Sequence, residues 1–152
     1  MREIKFRGKS KNNNEWCYGT YIFTDDNKND PFRRKPFKES HKIVFWCSGD
    51  WNIGGWVDEE VIPETIGQYT GLKDKNGKEI YEGDIIGCHN PNIKHLIFYN
   101  EKQGRFMAAL NGDIENDYIN VCGLDDSRWN ASKEVIGNIH DNPELIWRKK
   151  ND

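Results

Sequence analysis

Glycine and asparagine interrupt this chain so often that no apolar pattern runs long enough to build a conventional helix. From Ile93 onward the apolar runs are short: Ile93 to Tyr99, Arg105 to Leu110, Tyr118 to Cys122 and Glu134 to Ile139. Between them lie Asn100 to Gly104 and Asn111-Gly112-Asp113, residues that favour turns because they tolerate positive φ or bond their own backbone. Short strands at this spacing are the mark of a sandwich or small barrel. The composition agrees. Alanine occurs only at positions 108, 109 and 131, and Ile far outnumbers Leu, a bias toward strands.

The N-terminal part reads as two hairpins. Ile4 and Phe6 alternate with charged residues, a polar turn runs from Gly8 to Glu15, and a second strand follows. Its residues Trp16, Tyr18, Thr20 and Ile22 share one face, with Cys17, Tyr21 and Phe23 on the other. A polar loop spans 25–42. The second hairpin covers Lys42 to Ile62, with Ile43 to Cys47 as its apolar strand. Further on, Asn76-Gly77 is the strongest turn signal, expected as a type I′ turn. The C-terminus reads as a short helix with Asn142 as N-cap and Pro143 at its first position. Glu64 to Tyr69 echoes Glu134 to Ile139, and these two strands are expected to be neighbours in a barrel.

Charge and apolarity exclude several classes. Lys plus Arg is 22 against 25 for Asp plus Glu, a formal charge of -3, which argues against a basic nucleic-acid coat. Only 36% of residues are apolar, a deficit that six Trp, six Tyr and seven Phe partly offset by their large buried areas. No apolar run approaches the roughly 18 residues of a membrane span, and Met1 to Lys11 has no apolar signal core, so a cytoplasmic protein without a membrane partner is expected. The cysteines at 17, 47, 88 and 122 are evenly spread and read as free thiols.

Chemistry-bearing motifs are sparse. Cys88-His89 are adjacent, but structural metal sites want ligands two to four residues apart on one knuckle, and CxxC, CxxH and HExxH are all missing. A site drawn from Cys47, Cys88, His89 and Cys122 is the remaining metal candidate; buried thiols and exposed histidines are the plainer reading. Cys47-Ser48-Gly49-Asp50 is the nearest thing to a nucleophile turn, and a hairpin turn is the plainer reading. Gly54-Gly55 and Gly67…Gly71 lack the Lys-Ser/Thr of a phosphate loop, so no cofactor is expected.

Two stretches stand out as binding candidates. In Pro31-Phe32-Arg33-Arg34-Lys35-Pro36-Phe37-Lys38, basic residues that could neutralise phosphates are interleaved with Phe32 and Phe37, which could stack on bases. The plainer reading is a solvated loop balanced by Asp25, Asp26, Asp30 and Glu39. Trp46, Trp51 and Trp56 recur every five residues. We expect Trp46 and Trp56 in the core, and Trp51, in the turn between Asp50 and Asn52, as the exposed one.

Three blocks carry a family resemblance: Arg2-Glu3-Ile4-Lys5-Phe6-Arg7, VIPETIGQYTGLKDKNGKEIYEGDII from Val61 to Ile86, and EVIGNIHDNPEL from Glu134 to Leu145. In their chain order they resemble the YopX family of bacteriophage and prophage proteins, with a departure at Gly8-Lys9-Ser10. The resemblance implies a phage accessory protein, mainly β, with an SH3-like component, and carries no catalytic residues. Residues and resemblance together give one YopX-like domain over 1–152: an N-terminal hairpin layer (1–62) packed on a C-terminal SH3-like small barrel (63–146) with a short C-terminal helix. The expected function is a non-enzymatic binding module acting on a host or phage macromolecule, a protein being favoured and self-association compatible. Two alternatives stand beside it: nucleic-acid binding through the basic loop 31–42, and sequestration of a nucleotide or other small ligand.

Overall fold

A computed structural model describes residues 3–25, 39–48, 54–115, 118–120 and 133–146. The chain is strand-rich and every strand pairing is antiparallel, so it is mainly β. It divides into two compact units, one over Glu3–Gln68 and one from Tyr69 onward.

In the first unit β1 (Phe6–Lys9), β2 (Trp16–Asp25), β3 (Glu39–Ser48) and β4 (Gly54–Glu60) form a meander in the order β4-β3-β2-β1. The expected first hairpin is present, with Lys9 opposite Trp16 and Phe6 opposite Gly19. Its turn holds together through the asparagines. Ser10 Oγ donates to Glu59 Oε1 (2.5 Å), the Asn12 amide donates to Ser10 Oγ, and the Glu15 amide donates to Asn13 Oδ1. Asn14 takes a φ of 62°, which asparagine tolerates better than most side chains. The 25–42 loop proves shorter at both ends: β2 runs to Asp25, and Glu39 to Lys42 already pair with it in β3.

Among the described residues, few apolar side chains are buried here. Ile43 and Val61 are, along with the polar Ser10, Ser40 and Thr65. Val61 packs on Gly8, where a Cβ would lie 3.0 Å from the valine side chain. The unit therefore relies on its hydrogen-bond ladder and on an aromatic row along one face. In that row Phe6 meets Tyr21 at 5.5 Å, and Tyr21 and Phe23 both pack on His41, Tyr21 donating to or accepting from its Nδ1 at 2.8 Å. The first residues of β5 (Gly67–Lys73) pair with β1.

The second unit holds the true core. β5 continues into it and pairs with β6 (Glu79–Tyr81), Tyr69 opposite Tyr81. A five-stranded sheet follows in the order β10-β9-β8-β7-β11, from β7 (Asp84–Gly87), β8 (Lys94–Asn100), β9 (Arg105–Leu110), β10 (Tyr118–Asn120) and β11 (Glu134–Asn138). This sheet is apolar on both faces. Ile86, Ile97, Phe106, Ala108 and Val135 pack with Ile80 and Leu72 on one face; Ile85, Leu96 and Ala109 pack with Ile146 on the other. Adjacent strand residues point opposite ways, so Ile85-Ile86 fills both layers, and the weak alternation from Ile80 onward has that cause.

Three local expectations are corrected. Asn76-Gly77 is not a type I′ turn, because only Gly77 (φ 82°) has positive φ there. The Gly77 amide donates to the Asp74 carbonyl, and Asp74 Oδ1 accepts from the amides of Asn76 and Lys78, so an aspartate three residues before the glycine shapes the loop. Both central residues are positive instead at Asn111 (49°) and Gly112 (83°), where the Asp113 amide closes onto the Leu110 carbonyl. The short C-terminal helix is present as a single 3-10 turn, Pro143–Leu145, opening on its proline, but Asn142 at the cap position makes no side-chain capping bond. Finally, the Gly67 and Gly137 strands are not neighbours: β5 pairs with β1 and β6, and β11 with β7.

Candidate functional site

The first unit exposes its aromatic residues where β3 leaves β2. The β2–β3 ladder ends at Thr20 opposite Val44, whereas β3 and β4 continue together to Ser48 opposite Gly54. The sequence reason is Gly19. A Cβ there would lie 2.9 Å from the Val44 carbonyl carbon and 3.1 Å from Phe45 Cβ, closer than a real side chain allows, so only glycine permits this crossing. Beyond it β3 and β4 pair only with each other, as a two-stranded arm.

Trp46 and Trp56 face each other across this arm in a non-core position, 55% and 73% exposed, which corrects the expectation that both are buried. Their rings meet edge to face at 5.5 Å, a favourable aromatic geometry. Gly54 makes room for them, since a Cβ on it would lie 2.7 Å from Trp46 Cε2. Tyr18 and Ile22, also exposed, alternate along β2 in the same pleat register as Val44 and Trp46. What sequence reasoning missed is that strand pairing, rather than burial, sets the tryptophans in place. The glycines at 54 and 55 were the available signal, because β4 has no side chains there to cover the indoles.

In the angle between β2 and β3 lies a cleft of about 360 Å³. Trp16, Tyr18 and Phe45 supply aromatic surface, and Ser10, Glu15 and Glu59 supply polar groups. Arg7 and Lys9 stack on Trp16, at 4.6 and 5.6 Å from its ring. Cys17 also lines the cleft, and its thiol is pushed up by burial and then by the charges of Glu59 and Glu15. A thiol held protonated in this way is a poor nucleophile.

The other candidates fall elsewhere. Phe32, Arg33, Arg34, Lys35, Phe37, Lys38 and Trp51 lie outside the described residues, as does Cys122. Cys17, Cys47 and Cys88 are free thiols. Cys88 and His89 line a small cleft of about 100 Å³ beside Lys75 and Glu134, which pair with each other at 2.6 Å. Among the described residues no three His, Cys, Asp or Glu side chains gather as metal ligands, and no helix is long and apolar enough to cross a membrane.

The whole chain has relatives. A crystal structure of protein EF1440 from Enterococcus faecalis is similar at 26% identity, covering 97% of this chain and all of that one, with a TM-score of 0.54. No curated protein matches in sequence. The YopX protein family matches over residues 5–147, which takes in every strand among the described residues. The chain belongs to the YopX family.

Proposed function

We propose that this protein is a non-enzymatic binding module of phage or prophage origin, acting in the bacterial cytoplasm on a host or phage protein. The observation that carries the reading is the Trp46–Trp56 pair, set on the two-stranded β3–β4 arm with each residue more than half exposed. Burying two large indoles in a core would stabilise a chain this poor in apolar residues. Displaying them instead forgoes that gain, and Trp is the residue most enriched at the energetic centres of protein interfaces. The SH3-like description of the second unit and the absence of catalysis belong to the same proposal. Supporting it are the high pKa of the cleft thiol and the lack of a catalytic motif in the sequence.

The test is affinity purification of the tagged chain from host cells, with and without nuclease, beside Trp46→Ser and Trp56→Ser variants. The reading expects one discrete protein that survives nuclease and is lost from both variants, since a central interface Trp is worth about 2 kcal/mol or more. Retention equal in wild type and variants would refute it. Recovery of nucleic acid alone, released by moderate salt, would transfer the function to the basic loop 31–42.

A further inference from the structure

We propose that the cleft between β2 and β3 receives a cationic side chain of the protein partner, an arginine guanidinium in preference to a lysine ammonium. The inference rests on the reading that this unit docks a protein, and it names the chemistry the unit selects.

The carboxylates come first. Glu59 accepts from Ser10 and Asn12, both on Oε1, and Glu15 accepts from Asn13 on Oε2. The other oxygen of each keeps its lone pairs, and among the described residues neither carboxylate has an ion pair. The nearby cations are engaged elsewhere: Lys11 with Glu60 at 2.6 Å, and Lys42 with Asp58 at 2.5 Å. Arg7 and Lys9 are buried against Trp16. Among the described residues, two negative charges therefore share this cleft without a paired cation.

The walls select the kind of cation. Trp16, Tyr18 and Phe45 offer ring faces, which attract a cation through their quadrupoles. A planar guanidinium can stack on such a ring and pair with a carboxylate through two N–H groups at once, which an ammonium cannot. The chain already shows Trp16 accommodating a guanidinium, in its own Arg7. Glu59 and Glu15, whose charges add to burial in raising the Cys17 thiol, also disfavour an anion in the same place, so the charge there works against a phosphate group. At about 360 Å³ the cleft is at the small end of ligand sites, roughly 300–1,000 Å³, a size for one side chain.

The probes are N-acetyl-arginine amide, N-acetyl-lysine amide and the neutral isostere N-acetyl-citrulline amide, each titrated into the full-length protein and followed by NMR. The Trp16 indole and the Cys17 and Glu59 amides report on the cleft. The proposal expects saturable shifts at these positions with arginine amide, weaker ones with lysine amide and none with citrulline amide. It also expects affinity to fall at least tenfold in Glu59→Gln. Because Glu59 helps fold the 10–15 turn, Glu15→Gln serves as a second variant; its amide oxygen can still accept from Asn13, so the turn is kept while the charge is lost. Equal shifts with citrulline amide, shifts spread over the surface, or affinity unchanged in Glu15→Gln would each overturn the proposal. Failure here with partner capture still dependent on Trp56 would remove the cleft and leave the arm. Loss of Trp dependence with arginine binding intact would remove the docking reading instead.

Discussion

Asp74 ties the second unit together, and its removal is the sharpest stability test. The side chain is buried at the β5–β6 turn. Its Oδ1 accepts from the amides of Asn76 (2.8 Å) and Lys78 (2.9 Å), and its Oδ2 from the amide of Val135 (3.0 Å), a residue 61 positions away in β11. Burial works against the charge, yet the three amides and the nearby Lys78 outweigh it and hold the carboxyl below the ordinary aspartate value. Asp74→Ala leaves the Val135 amide buried without this acceptor, a cost of about 1–3 kcal/mol, while water can reach the two turn amides at roughly 0.5–1 kcal/mol each. The total is about 3 kcal/mol. Asp74→Asn keeps the Oδ1 bonds but turns a donor toward Val135, so it should lose most of the Val135 contribution and little else.

Chemical denaturation of the two variants and wild type, with amide exchange at Val135, measures this. The pH dependence follows from linkage. A carboxyl whose folded pKa is depressed stabilises fully above its unfolded value, about 3.9, and loses that contribution as pH falls through the folded value. Wild type should therefore lose its advantage over Asp74→Asn as the pH is lowered below about 4, and keep it above. A loss under about 0.5 kcal/mol for Asp74→Ala, or a wild-type advantage over Asp74→Asn that does not shrink in acid, would refute the assignment.

Other expectations rest on single positions. Gly19→Ala should force Val44 away from β2 and destabilise the first unit by about 1–3 kcal/mol, seen as a lower denaturation midpoint; an unchanged midpoint would mean that β2 and β3 do not cross as described. Under iodoacetamide at neutral pH, exposed Cys47 should be alkylated well before Cys17, whose thiol is raised by burial and by Glu59 and Glu15; mass mapping of the labelled peptides reads the order, and Cys17 reacting first would contradict it. In Glu59→Gln the Cys17 thiol should titrate lower, because one of the charges that raise it is gone.

Much of the fold was legible because strands announce themselves locally. Arg105 to Leu110 is bounded by turn residues on both sides and forms β9 over that span. The Asn76-Gly77 turn was misread because dipeptide preference ignores a side chain three residues upstream that can satisfy the loop amides. Glu64–Tyr69 and Glu134–Ile139 share letters without sharing a ladder, since strand pairing is a long-range choice that identical local patterns do not determine. The tryptophans failed for a related reason. Hydrophobicity places a residue inside only if the sheet has a covering layer, and Trp46 and Trp56 sit on an arm that has left its neighbour. The cleft was not visible at all, because Ser10, Glu15, Phe45 and Glu59 meet only once the β1–β2 turn folds against β4.

The most direct measurement is site-specific photo-cross-linking in host cells, with the cross-linking amino acid at position 56 on the arm and, as control, at position 99, where Tyr99 is also exposed but lies in the second unit. If the tryptophan arm is the docking surface, position 56 gives a discrete protein adduct and position 99 does not. Adducts of the same pattern from both positions, or from position 99 alone, would contradict the account.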